Sequence, residues 1–255
     1  MTDDSRAATL AAARERVELL ARTPGHAELP SALHAFARAH LAIALTAAGR
    51  RDAIGHGWQA ADALRALIEL PFGWASIFLF DEKREIAFGA HESSSWSSTR
   101  HWLDALYATI WSDRGENVEP LISDRAKMRA EGEPDALRSY ARGLLAVRDG
   151  APEQDGDRFT YFRRARRELA TAGPDWTWLA PRLDAWSVLE NGDSLEFVRA
   201  LDALAAVEDP RAIDAGIGVR LEPSALYLLA RRAGFTVFDP PNEPRLRLPP
   251  PPSGG

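Results

Sequence analysis

Cysteine is absent from the 255 residues, which removes disulfides, thiolate metal ligands and cysteine nucleophiles from consideration. Lysine is almost absent as well: Lys83 and Lys127 are the only two, and arginine supplies the rest of the 31 basic residues. With the heavy alanine usage, that bias fits a GC-rich bacterial coding sequence better than a preference for phosphate. No apolar run reaches the ~18–20 residues of a membrane span. Residues 1–16 are charged and hold no apolar stretch, so a soluble, cytoplasmic protein without a membrane partner is expected. Positive charge is lacking too. A net charge of -6 argues against a nucleic-acid partner, which calls for a basic footprint.

The usual catalytic signatures are also missing. There is no G-x-S-x-G elbow, no P-loop and no G-x-G-x-x-G, and Gly216 with Gly218 is only a turn. Six histidines (His26, His34, His40, His56, His91, His101) contain no H-E-x-x-H and no pair at i, i+4. His34 and His40, six apart, fall on different sides of a helix. Asp52 and His56 stand at i, i+4 and could polarise one another, but a capping aspartate beside a surface histidine is the plainer reading. His91, Glu92 and the serines after them are adjacent, whereas triad members converge from separate segments. No metal, no cofactor and no enzymatic activity are expected.

What is present reads as helices. Asp3, Asp4 and Ser5 offer N-caps to a first helix carrying Leu10, Val17 and Leu20, which ends before Pro24. Pro30 suits the first turn of a second, with Leu33, Phe36, Leu41 and Leu45 on its face and Gly49 as its stop. A third carries Ile54, Trp58, Leu64 and Ile68. Its Gly55 and Gly57 cost roughly 1 kcal/mol each against alanine unless a neighbour packs closely there. The period then changes. Residues 77–80 and 85–88 are short β-branched and aromatic runs around a charged loop, which predicts a β-hairpin near 76–89. Helices follow at about 101–111, 118–123, 137–147, 159–172, 178–189, from a cap at Ser194, and 223–232.

Three helix ends share an acidic or basic residue beside a glycine, at Gly115, Gly150 and Gly192, spacings that suggest stacked helical hairpins without a regular consensus. The expected fold is mainly α: an irregular stack of antiparallel helix pairs, solenoid- or bundle-like, with one small β-hairpin. One domain is expected over residues 1–238, followed by a proline-rich extended or disordered tail at 239–255.

Two charged regions stand out. Arg158, Arg163, Arg164, Arg166 and Arg167 interleave with Phe159, Tyr161 and Phe162. An amphipathic helix that buries its rings and pairs its arginines with Asp155, Asp157 and Glu168 explains them without a nucleic acid. Between residues 71 and 125, nine acids stand against five bases. Dispersed, solvated charge accounts for much of this, yet a hairpin tip, a serine loop and helix-connecting turns could gather several acids into one surface for a basic protein. The candidate partner-binding residues are Asp81, Glu82, Glu92, Asp113 and Glu116, with Trp96 as an apolar anchor.

Three segments carry a family resemblance: Trp102, Leu106, Tyr107 and Trp111 leading to Asp113 and Arg114; Trp178, Leu183, Trp186 and Leu189 leading to Asn191 and Gly192; and Leu226 and Tyr227 leading to Ala233, Gly234 and Phe235. In pattern and order, across most of residues 58–238, they resemble the immunity protein 49 family of bacterial polymorphic toxin systems. The hairpin also sits where that family carries a strand-like insertion. The chain departs from it at the end, where prolines replace a further leucine-containing segment. The resemblance implies a mostly helical protein that binds and neutralises a cognate toxin domain by direct contact. It transfers no catalytic residue. The competing readings are a helical-repeat scaffold and a helical-bundle enzyme built on Asp52 and His56 or a histidine metal centre.

Overall fold

The computed structural model describes residues 2–91, 98–112, 133–149, 157–206, 213, 220–237 and 246–250. The expected helix at 118–123 lies outside them. The described elements are helical except for one two-stranded antiparallel sheet, as the sequence pattern predicts. By contacts the chain divides into two compact units. The first comprises residues 1–130, 211–221 and 247–255; the second comprises 131–210 and 222–246.

The first unit begins with α1 (Asp3–Ala21), α2 (Leu29–Ala44) and α3 (Arg50–Glu69), each packed on the next. Two expected helix boundaries shift by a few residues. Thr2, not Asp3 to Ser5, caps α1 by accepting from the Ser5 amide. Gly49 does not stop α2, which ends at Ala44; it is the extended N-cap of α3. After a 3-10 turn (Leu70–Phe72) come β1 (Trp74–Leu79), β2 (Arg84–Gly89) and α4 (Thr99–Ser112). Leu33, Leu41, Leu64, Leu67, Tyr107 and Trp111 are fully buried at the centre of this unit.

Gly57 explains how closely α3 and α4 approach. A Cβ at this position would lie 2.9 Å from the Trp111 ring and 3.2 Å from the Ser112 Cβ. Gly55 faces open space, so only one of the two glycines serves packing. Trp111 in turn donates its indole N–H to the Arg247 carbonyl (2.6 Å), and Arg50 donates to the Pro250 carbonyl (2.8 Å). Residues 246–250 of the proline-rich tail carry neither helix nor strand and are held by these two bonds.

The second unit holds α5 (Asp135–Asp149), α6 (Thr160–Leu169), a 3-10 turn (Pro174–Leu179), α7 (Ala180–Glu190), α8 (Ser194–Ala206) and all but the first residue of α9 (Leu221–Arg232). Its core is aromatic: Phe162 stacks flat on Trp186 at 4.8 Å, and Phe197 meets the same indole at 5.6 Å. Gly192 ends α7 at φ +81°, a conformation that costs other residues strain. Asp193, rather than Ser194, then caps α8 by accepting from the Glu196 amide.

The arginine stretch behaves as an amphipathic helix. Arg163 pairs with Asp157 and Glu190, Arg164 with Glu168, and Arg166 with Asp184, while Phe159 and Phe162 are buried. Arg182 and Glu222, both almost fully buried, form two parallel hydrogen bonds between α7 and α9, and the guanidinium lies over the Trp178 ring.

Candidate functional site

The hairpin of the first unit is the element that sequence singles out for recognition, and its backbone shows which side is available. The register pairs Ile77 with Ile86, Ala75 with Phe88 and Leu79 with Arg84. Ala75, Ile77, Leu79, Ile86 and Phe88 are buried, so these positions form the inner face. Phe78, Glu85 and Ala87 belong to the outer face and are exposed.

The two edges of this sheet differ. A lone hairpin is marginal in water, and α3 supports this one through a row of polar side chains at i, i+3 and i+6. Gln59 Oε1 accepts from the Phe80 amide (3.4 Å), Asp62 Oδ2 from the Phe78 amide (2.7 Å), and Arg65 donates to the Ser76 carbonyl (2.9 Å). The outer edge of β1 is thereby closed. Burial holds the Asp62 carboxyl above its ordinary value, although Arg65 and the Phe78 amide oppose the rise.

Because the backbone groups of Ser76 and Phe78 point at α3, those of their partners Ala87 and Glu85 point away from the sheet on the other side. No described residue hydrogen-bonds them. Among the described residues, nothing closes the edge of β2 at these two consecutive outward positions.

The tip of the hairpin is charged, but it is more nearly neutral than a list of its acids suggests. Arg14 of α1 donates to Asp81 (2.6 Å) and Glu18 (3.2 Å) and forms an ion pair with Glu82 (2.5 Å) whose direction misses a hydrogen bond. Arg84 bridges Glu82 and Glu18. Burial alone would raise the Glu18 and Asp81 carboxyls; hydrogen bonds from the arginines outweigh it, and both lie below their ordinary values. Asp81 and Glu82 remain well exposed, at 65% and 44% of their side chains, so they sit on the surface as partners of Arg14.

Of the sequence candidates, the structure thus brings Asp81 and Glu82 together at the tip. Glu92, Trp96, Asp113 and Glu116 lie outside the described residues. Asp104, another acid of the region, is buried and faces Arg100 at 3.7 Å.

Sequence reasoning missed a histidine contact nearby. His56 makes no hydrogen bond to Asp52. Its Nδ1 instead lies 2.7 Å from Nδ1 of His40, joining α3 to α2. One ring must donate and the other accept, so the two carry opposite tautomers. Burial, then the neighbouring His56 and Arg14, push His40 well below its usual pKa. Burial also lowers His56, against the pull of Asp52 and Asp81. The sixteen-residue separation of the two rings gives no periodic signal. Among the described residues, no group of three or more histidine, aspartate or glutamate side chains is arranged to hold a metal ion, and no helix is long and apolar enough to cross a membrane. Compared with family models, curated proteins and solved structures, the chain matches none.

Proposed function

We propose that the chain is a protein-binding module that neutralises a bacterial toxin domain by direct contact, with the hairpin as its docking element. The observation that carries this reading is the asymmetry of the hairpin: α3 side chains close the β1 edge, while the outward amides and carbonyls of Glu85 and Ala87 meet no partner among the described residues. An exposed edge of this kind takes an extended segment of a partner as an added strand. Exposed Phe78 on the outer face adds an apolar contact beside it. The toxin assignment rests on the resemblance to the immunity protein 49 family, whose implied helical fold with a hairpin before the tryptophan-rich helix agrees with β1, β2 and α4. Asp81 and Glu82 belong to the rim of this surface; Glu92, Trp96, Asp113 and Glu116 remain candidates from the sequence alone.

Ala87→Pro tests the docking mode. It removes an N–H that points away from β1, so the ladder survives while a partner strand loses a donor. With the product of a neighbouring toxin-type gene, the variant should dissociate at least tenfold faster. Neutralising Asp81 and Glu82 together should change the association rate only a few-fold, because Arg14 and Arg84 already balance them. Co-expression growth rescue tests the function itself. If the chain neither rescues growth nor binds the toxin domain, the scaffold reading replaces this one; if binding survives Ala87→Pro unchanged, the edge is the wrong surface.

A further inference from the structure

The paired histidines face a cleft in the first unit. It has a volume of about 810 Å³ and adjoins a second of about 680 Å³ that shares Leu10, Arg14, Asp52 and His56. This is the size range of small-molecule sites. Phe36, Leu79 and Phe80 give it apolar walls, and polar side chains reach it from Arg14 of α1, His40 of α2, Asp52, His56 and Gln59 of α3, and Asp81 of the hairpin turn.

Three features of that lining ask for an acceptor-bearing ligand. Gln59 is 4% exposed, its carbonyl oxygen is taken by the Phe80 amide, and its Nε2 is buried with no acceptor. A buried donor left unpaired is destabilising, and a ligand oxygen would relieve that cost. Arg51, at the exposed rim in the first turn of α3, has no ion-pair or hydrogen-bond partner among the described residues. Arg14 and Asp81 of the lining pair with each other, which leaves Arg50 and Arg51 against Asp52 in a chain whose net charge is -6.

The histidine pair supplies a place for a proton. Two neutral imidazoles in Nδ1 contact leave one donor and one acceptor at their Nε2 atoms. A proton added to the free acceptor is shared across the 2.7 Å contact with the second ring. The groups that face the pair are Arg14 from α1, Asp52 and the first-turn arginines from α3, and Asp81 from the hairpin turn.

We propose that this cleft binds a small organic acid with a ring or apolar body, its anionic oxygens meeting Gln59 Nε2 and Arg51 and its charge balanced by one proton taken up from solvent on the His40–His56 pair. The site is independent of the hairpin edge. Carboxylate and phosphate esters share the required chemistry, so the probes are benzoate and phenyl phosphate, with benzamide as the uncharged control, added to the full chain. Titration calorimetry in buffers of different ionisation enthalpy reads proton uptake, and nuclear magnetic resonance reads the two imidazoles.

At least one anion should bind below about 10 mM and shift the His40 and His56 ring signals, with benzamide at least tenfold weaker. Affinity should rise as pH falls, by up to about tenfold per unit for one proton taken up. Arg51→Ala, an exposed change that leaves the core intact, should weaken binding about tenfold. His56→Gln should abolish the proton uptake. Preference for benzoate or for phenyl phosphate identifies the head group, and either supports the site. Silence of both ring signals up to about 10 mM of each anion would overturn the proposal. So would equal binding of benzamide, or binding indifferent to Arg51→Ala, a result readable even if His56→Gln does not fold.

Discussion

Two glycines two positions apart in α3 should respond to the same substitution with opposite sign. Glycine in a helix interior costs about 1 kcal/mol relative to alanine. Gly55 has nothing within 4 Å of its would-be Cβ, so Gly55→Ala should stabilise the protein by roughly 0.5–1 kcal/mol in urea denaturation. At Gly57 the new methyl would press on Trp111, which is fully buried and tied through its indole to Arg247. Overpacking costs about 1–3 kcal/mol and exceeds the propensity gain. Gly57→Ala should therefore destabilise, and equal effects at the two sites would refute the close α3–α4 approach. The Arg182–Glu222 pair is vulnerable for another reason. Arg182→Met leaves the Glu222 carboxylate buried without its cation, an expected loss of ~3–5 kcal/mol, whereas Arg182→Met with Glu222→Leu should recover much of it.

At the scale of elements, the hairpin is held by α3 as much as by its own ladder. Asp62→Ala should deprive the Phe78 amide of its acceptor at a cost of ~1–3 kcal/mol. Amide exchange should accelerate at Phe78 and at Phe80 more than at Ile77, whose amide faces β2. Uniform acceleration along β1 would mean that the ladder, not α3, limits opening. The hairpin itself was legible because its period changes locally from helical to alternating. Helices were legible wherever apolar residues recur at three and four, including α5 and α9. Caps were less so: Thr2 and Asp193 each stand beside a residue of similar capping power, and Gly49 suits the stop of one helix as well as the start of the next, so which is used depends on where the preceding chain arrives. The candidate site was half legible. Asp81 and Glu82 could be read as a charged tip, but their partner Arg14 lies 67 residues from Asp81 and meets it only because α1 packs beside the hairpin. The same reason hid the His40–His56 contact.

Across the whole molecule, the histidines are distributed unevenly. All six fall between residues 26 and 101, in the first unit, and the second unit has none. His34 is lowered to about 4 by burial and then by Arg38, and His40 and His56 are lowered too. A depressed histidine contributes its full stability above its unfolded value of 6.5, and loses it as the unfolded chain takes up protons the native ring refuses. For His34 the loss runs from pH 6.5 down to about 4 and is on the order of 3 kcal/mol. Amide exchange at stepwise lower pH should show protection falling in α2 and α3 across that window while α6 and α7 hold theirs. Equal loss in both units would refute it.

The order of the chain adds a constraint in time. Synthesis delivers Trp111 long before Arg247, 136 residues later, and Arg50 long before Pro250, 200 residues later. The first unit is begun before the second and completed after it, since the carbonyls that meet these two side chains follow residue 246 in the chain. In the interval, everything from residue 131 to 210 has already emerged. A nascent chain halted before residue 246 would carry a near-complete second unit and a first unit whose Trp111 indole still lacks the Arg247 carbonyl.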